Sequence, residues 1–258
     1  MKEVEWARMK AYEVKARQNE DAIVIVPVGS FEQHGPHLPV QVDALLAGEV
    51  ARRAGVKIAA QNQAVIVTPT VWCGLAEHHM SFGGTITLDF DTFQALLRCI
   101  CRSLIRQGFR KILLLNGHGG NITALSVISD TLSREFEVPI ATSTYWVPAK
   151  QAFAALLKHQ ESIGHACEAE TSMLLALKPE LVDVNAANTV KAPEGGLYDQ
   201  GGVHVWRSTE YWTQTGVIGA PHAATAEKGE ALLEAAGGAL AERLLAGKIW
   251  DTQERAAE

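Results

Sequence analysis

The 258-residue sequence contains no stretch approaching the ~20 consecutive apolar residues that a membrane-crossing helix requires. It also lacks any basic cluster. Lys and Arg number 23 against 29 Asp and Glu, a formal net charge of −6, which argues against nucleic acid as a partner. Cysteine is scarce: Cys73, Cys99, Cys101 and Cys167 show neither CxxC spacing nor the density of a disulfide framework. Cys99 and Cys101 fall in a predicted helix, where two positions apart means roughly 200° around the axis, so they read as separately packed, reduced thiols. The first residues, MKEVE, carry none of a signal peptide's apolar core. No repeat, low-complexity tract or linker interrupts the chain. These absences lead us to expect a cytoplasmic protein with a small-molecule substrate, no nucleic-acid or membrane partner, and one domain over 1–258.

What is present is an ordinary globular composition, 47% apolar and 20% charged, with an alternating pattern. The first twenty residues are charged and partly helical, with Trp6 as an anchor. Short β-branched runs at 22–28, 64–67, 111–115 and 139–145 read as buried strands. Between them lie helical patterns. One starts at Asp43 and stops at Gly55. Another carries apolar residues at 93, 96, 97, 100, 101, 104 and 105, capped by Asp89 or Asp91 and ended by Gly108. A third turns Leu125, Ile128 and Leu132 inward, and further helices cover 149–159 and about 224–246. The stretch 190–219, with Gly195, Gly196, Tyr198, Gly201, Gly202 and His204, has little periodicity and reads as an excursion walling a pocket or packing on a neighbouring subunit. Alternating strands and helices predict an α/β fold with a mostly parallel central sheet covered on both faces. Ligands in such sheets lie beyond the carboxyl ends of the strands.

Two loops leave the sheet at that end with unusual content. The segment 27–39, PVGSFEQHGPHLP, followed by Asp43, gathers Glu32, His34, His37 and Asp43 behind the first strand. Glu32 and His34, two apart in an extended segment, point the same way, and Pro36 and Pro39 favour that extension. Asp43 has the alternative role of helix N-cap. The segment 116–121, NGHGGN, places His118 directly after the third strand. Glu, His, Asp and His form a mixed oxygen and nitrogen set suited to Zn²⁺ or Mn²⁺, and the share of carboxylates admits a two-ion site, because a carboxylate can bridge two ions.

A third cluster, GHACEAETS at 164–172, precedes the apolar run MLLAL. If helical, it puts Glu170 on the inward face with Met173, Leu174 and Leu177. An unpaired buried carboxylate costs several kcal/mol, so Glu170 calls for a cation or strong donors. Glu168 lies about 200° away from it; it is a surface residue, a partner of His165, or the second choice as ligand. His165 and Glu168 are the candidates for proton transfer. His78, His79 and Gly119 lie in loops expected at the same mouth and are assigned to substrate binding.

PVGSFEQHG, Asp43, NGHGGN and Glu170-Thr171-Ser172 resemble, in order and over nearly the whole chain, the creatininase (creatinine amidohydrolase) family. The resemblance implies a three-layer α/β/α sandwich, a homo-oligomer, often a hexamer, and two divalent ions per subunit, Zn²⁺ and/or Mn²⁺ with Fe²⁺ as a further choice. By motif, Glu32 and His34 each bind one ion, Asp43 bridges and His118 joins one ion. Two departures stand out. Creatininase proper has a Tyr-Glu pair where this chain has Gly119 and Gly120, so its glutamate ligand must be replaced, by Glu170 first and Glu168 second. Its Trp-Asp pair before the histidine matching His165 is replaced by Glu161 and Ser162. The resemblance therefore implies an amidohydrolase acting on the C–N bond of a cyclic amide or a formamide through metal-activated water. The alternatives are a hydrolase opening a cyclic diketone such as an oxidised inositol, or a catalytically silent metal-binding subunit.

Overall fold

The structure, a computed structural model, describes residues 2–160, 162–193 and 205–250. After a short helix α1 (Ala11–Asn19), the chain alternates as β1 (Ile23–Val28), α2 (Val42–Ala60), β2 (Val65–Val67), α3 (Phe90–Arg106), β3 (Lys111–Asn116), α4 (Ile122–Phe136) and β4 (Ile140–Thr144). Helices α5 (Lys150–Leu156), α6 (Glu168–Leu177), α7 (Val184–Thr189) and α8 (Ala226–Leu245) follow. All strand pairs are parallel and the sheet order is β2-β1-β3-β4. Strand order therefore reverses between β1 and β3, the topological switch point at which loops from adjacent strands part and leave a crevice. Val28 pairs with Asn116 in register, so the two histidine-bearing loops leave the sheet side by side.

Alternation along the strands divides the core in two. Ile23, Ile25, Leu113 and Leu115 face one core with residues of α2, α5, α6 and α8, whereas Val24, Val26, Ile112 and Leu114 face another with residues of α1, α3 and α4. This is the expected three-layer α/β/α arrangement. Trp6 packs on the second core, 5.6 Å from the Phe109 ring. Asp89 caps α3, its carboxylate accepting from the Thr92 amide at 2.7 Å. Cys101 is buried and Cys99 exposed, as their angular separation requires. No helix among the described residues is long and apolar enough to cross a membrane.

Three local expectations are corrected. Helix α2 does not stop at Gly55 but runs to Ala60. A Cβ at Gly55 would lie 3.1 Å from a Val67 methyl and 3.5 Å from Val4, so this glycine serves close packing on β2 and not termination. Asp43 is not the cap of α2. Gln41 holds that position, and Asp43 turns its carboxylate elsewhere. Helix α5 ends at Leu156 instead of His159, because the Lys158 and His159 amides donate to the Glu168 carboxylate at 3.1 Å. Of the 190–219 excursion, residues 194–204, including Gly195, Gly196, Tyr198, Gly201, Gly202 and His204, lie outside the described residues, as does Glu161.

Candidate metal centre

The turn after β1 is set by close approach. Cβ atoms at Gly29 and Gly117 would each lie 2.6 Å from backbone atoms of the first turn of α2, at Ala44 and Asp43 respectively. Only glycine admits that approach, and it presents Asp43 to the ends of both β1 and β3. Asn116 closes the second turn, accepting from the His118 amide at 3.0 Å and donating to its carbonyl at 2.7 Å. Asn121 ties a third loop to both, donating to the Gly29 carbonyl and accepting from the Leu75 amide, each at 3.0 Å.

Five predicted ligands converge: Glu32, His34, Asp43, His118 and Glu170, none more than 4% exposed. With His165 they form three sets: Glu32/Asp43/His118 and His34/Asp43/Glu170, which share Asp43, and Glu32/His34/His165, which takes one member from each and adds His165. Asp43 Oδ2 lies 2.9 Å from His118 Nδ1, and Asp43 Oδ1 lies 3.2 Å from His34 Nε2. Glu32 Oε2 lies 3.1 Å from His118 Nδ1, and Glu170 Oε1 lies 3.8 Å from His34 Nε2. Despite these short separations, Glu32 Oε1, His34 Nε2 and Asp43 Oδ2 make no hydrogen bond. Buried polar atoms are normally satisfied; here they aim at common points between them.

The outer contacts of the two histidines agree with that reading. His34 Nδ1 lies 3.1 Å from the Glu32 carbonyl and His118 Nε2 lies 3.1 Å from the Leu75 carbonyl. A carbonyl only accepts, so each of these nitrogens carries the proton and the opposite nitrogen turns a lone pair inward, as ligating histidines do. Ser30 Oγ donates to Glu32 Oε2 at 2.7 Å. The donor set fits divalent cations of the Zn²⁺ or Mn²⁺ class.

Electrostatics follow from three buried carboxylates. Burial disfavours the charged form of His118, but Glu32 and Asp43 outweigh it and raise its pKa to about 10. His34 is likewise raised well above its ordinary value by Asp43 and Glu170 against the burial penalty. Burial would raise the Glu32 pKa, yet the His118 and His79 imidazoles hold it well below the usual carboxylate range. His165 goes the other way: burial, with His79 and His34 adding, lowers it well below its ordinary value.

His165 and His79 join the cluster at its rim, with Nδ1 of the former 3.6 Å and Nε2 of the latter 3.2 Å from Glu32 Oε1. His78 stacks on His118, ring centroids 5.4 Å apart, and burial together with His79 and His118 lowers its pKa to about 3. Gly119 is exposed with open space beside it. A Cβ at Gly120 would instead meet His118 Nε2 at 2.4 Å and the Leu75 carbonyl at 2.6 Å, so no carboxylate fits there, and Glu170 stands in the second set. His37 is buried, with Nε2 3.0 Å from Thr171 Oγ1.

Glu168 is not brought to the centre. It is fully buried, neither on the surface nor paired with His165, and its carboxylate accepts from Lys228 Nζ and from the Lys158 and His159 amides. Its assignment to proton transfer, and as the reserve ligand, is corrected on that ground: it is committed to holding α6 against α8 and the end of α5. Two residues escaped sequence reasoning. Gln33, whose amide lies within 3.0 Å of both His79 and His165, carries no charge to attract notice. Tyr145, fully buried with an unpartnered hydroxyl, follows β4, and its pKa is raised well above the ordinary value by burial, then Glu170 and Asp43. Its place at the end of the strand beside β3 was the available signal.

Comparison with known proteins gives a consistent result. Residues 7–244 match the family model for creatininase, described as creatinine amidohydrolase. The chain is 34% identical over 218 residues to a mycofactocin precursor peptide peptidase of Mycolicibacterium smegmatis, covering 81% of this chain and 78% of that one. It is 30% identical to a creatinine amidohydrolase of Pseudomonas putida, covering 87% and 89%. It is 29% identical to a 3-dehydro-scyllo-inosose hydrolase of Thermotoga maritima, covering 88% and 78%. Among solved structures, a manganese creatininase superposes with a TM-score of 0.82 at 27% identity, covering 95% of this chain and 99% of that one. A creatininase variant of Zn-Zn type superposes at 0.81, covering 96% and 99% at 27% identity. With this match over most of its length, the chain belongs to the creatininase family.

Proposed function

We propose that the protein is a binuclear metal-dependent amidohydrolase that cleaves the C–N bond of a cyclic amide or formamide. The observation that carries the reading is the shared carboxylate: of the three candidate ligand sets Asp43 belongs to two, one completed by Glu32 and His118, the other by His34 and Glu170. Divalent ions in these sets would supply Lewis acidity, polarising a carbonyl and acidifying water. The chain's own groups divide the remaining work. Hydrolysis adds a hydroxyl to the acyl carbon and a proton to the departing nitrogen, and a group beside the reacting atoms must carry that proton. His165, with Nδ1 3.6 Å from Glu32 Oε1, takes it up at Nδ1 and delivers it to the leaving nitrogen. His79 and His78 line the rim where substrate enters, and exposed Gly119 leaves that approach open.

The same reading places the protein in the cytoplasm as a homo-oligomer. Four unpaired cysteines and the exposed apolar residues Ile122 and Val127 on α4 support it.

The test is to strip the protein of metal, reload it with Zn²⁺ or Mn²⁺, and assay cyclic amides, formamides and inositol ketones. Turnover of an amide or formamide, lost on stripping and regained on reloading, is expected. Activity undiminished by stripping would refute the metal mechanism. Turnover confined to an inositol ketone would move the reaction to a C–C bond, and one ion per chain without turnover would indicate a silent subunit.

A further inference from the structure

We propose that Gln33 is a positioning residue that holds the protons of His79 and His165 both on Nε2, so that two rings facing Glu32 by different nitrogens give the site one imidazole that presents N–H and one that presents a lone pair. The inference rests on the hydrolase reading for its catalytic consequence, but its structural content stands apart from any substrate.

The assignment follows from counting donors. Gln33 Oε1 accepts from the Gly35 amide at 2.8 Å, which fixes the orientation of the side-chain amide. Its NH₂ group then has two protons to give. One goes to the Gly216 carbonyl at 3.2 Å, an acceptor only, and the other to His79 Nδ1 at 2.8 Å. Thr209 Oγ1 also lies 3.1 Å from His79 Nδ1. With Nδ1 accepting, the His79 proton sits on Nε2, the nitrogen 3.2 Å from Glu32 Oε1.

His165 is resolved by the same group's backbone. Its Nε2 lies 2.8 Å from the Gln33 carbonyl and 3.0 Å from Gln33 Nε2. Both protons of the amide are already committed, and a carbonyl at 2.8 Å tolerates only a donor. Nε2 of His165 therefore carries the proton, and Nδ1 turns a bare lone pair toward Glu32 Oε1, 3.6 Å away. One residue, between two metal-ligand candidates, thus leaves His79 as donor and His165 as acceptor. Gly216, in the left-handed region at φ +76°, makes room for it: a Cβ there would lie 2.1 Å from Gln33 Oε1. In hydrolysis His165 takes the proton at Nδ1 while His79 turns N–H, not a lone pair, toward the Glu32 carboxylate, so a proton moved to Nδ1 on either ring would reverse that ring's role.

The experiment uses the zinc-loaded protein labelled with ¹⁵N-histidine, and reads imidazole tautomers by two-bond ¹H–¹⁵N correlation. Both His79 and His165 are expected in the Nε2–H form. Gln33→Met keeps the length of the side chain without its donor. It should move His79 toward Nδ1–H, keep the zinc content and the His34 and His118 signals, and lower kcat on a formamide or cyclic amide by about 100-fold with KM changed by less than about threefold. Thr209→Val leaves Gln33 in place and should keep both Nε2–H forms, which preserves a test should Gln33→Met fail to fold. The proposal is overturned if Gln33→Met retains the wild-type tautomers, or if Thr209→Val alone moves His79 to Nδ1–H. Failure to find any amide substrate would sink the hydrolase reading and leave the tautomer spectra as the judge of Gln33.

Discussion

Glu168 and Glu170 stand two positions apart on α6, both buried, and do unrelated things. Glu170 faces His34 across 3.8 Å, and Glu168 meets Lys228 and two backbone amides. Their neutral isosteres should therefore separate cleanly. Glu170→Gln should lower the metal content measured by elemental analysis by about one ion per chain while the fold survives. Glu168→Gln should keep the metal content but lower stability in urea by roughly 3 kcal/mol, because the Lys228 side chain, 9% exposed, would keep its charge with no carboxylate beside it and only the Ala223 carbonyl, at 2.7 Å, to accept from it. His37 supplies a pH signature. Burial, with His34 adding, lowers its pKa to about 4 against an ordinary 6.5. The folded form thus binds fewer protons than the unfolded one between those values, and stability present above pH 6.5 is lost as pH falls toward 4. Between pH 7 and pH 5 this group alone removes about 2 kcal/mol. Urea midpoints of the wild type should fall more steeply over that interval than those of His37→Gln.

At the scale of elements, the centre depends on α2 starting between the ends of β1 and β3. Gly117→Ala would set a methyl 2.6 Å from the Asp43 carbonyl and 2.8 Å from the Ala47 methyl. The first turn of α2 must then move, and with it the carboxylate that two of the ligand sets share. The expected result is a loss of about 2 kcal/mol in stability together with weakened zinc affinity in a competition titration with a chelator. Retention of wild-type affinity would show that Asp43 does not depend on this approach. Beyond the first turn, α2 is tied to α8 by Arg53, which donates to both oxygens of Glu230 at 2.6 and 2.8 Å and to Glu49 at 2.8 Å.

Over the whole molecule, what was legible in the sequence was the chemistry at the ends of strands. Glu32, His34, Asp43 and His118 could be read because each follows or faces an apolar β run, and charge in such a place needs a reason. Glu170 could be read because helical periodicity set a carboxylate among leucines. The strand order was not legible, since it depends on which parallel neighbours pair, and hydrophobic alternation is blind to that. Nor could the partner of Glu168 be read: helix geometry says which way a side chain points, but Lys228 arrives from sixty residues later. Gln33 was silent because a neutral amide leaves no mark in a charge pattern.

The central claim is that two ions share Asp43, and the most direct test is the metal stoichiometry of purified, chelator-stripped protein titrated with Zn²⁺. Two equivalents per chain are predicted for the wild type, with Asp43→Asn losing tight binding at both positions while remaining folded by circular dichroism. A single equivalent in the wild type, or full retention of zinc by Asp43→Asn, would contradict it.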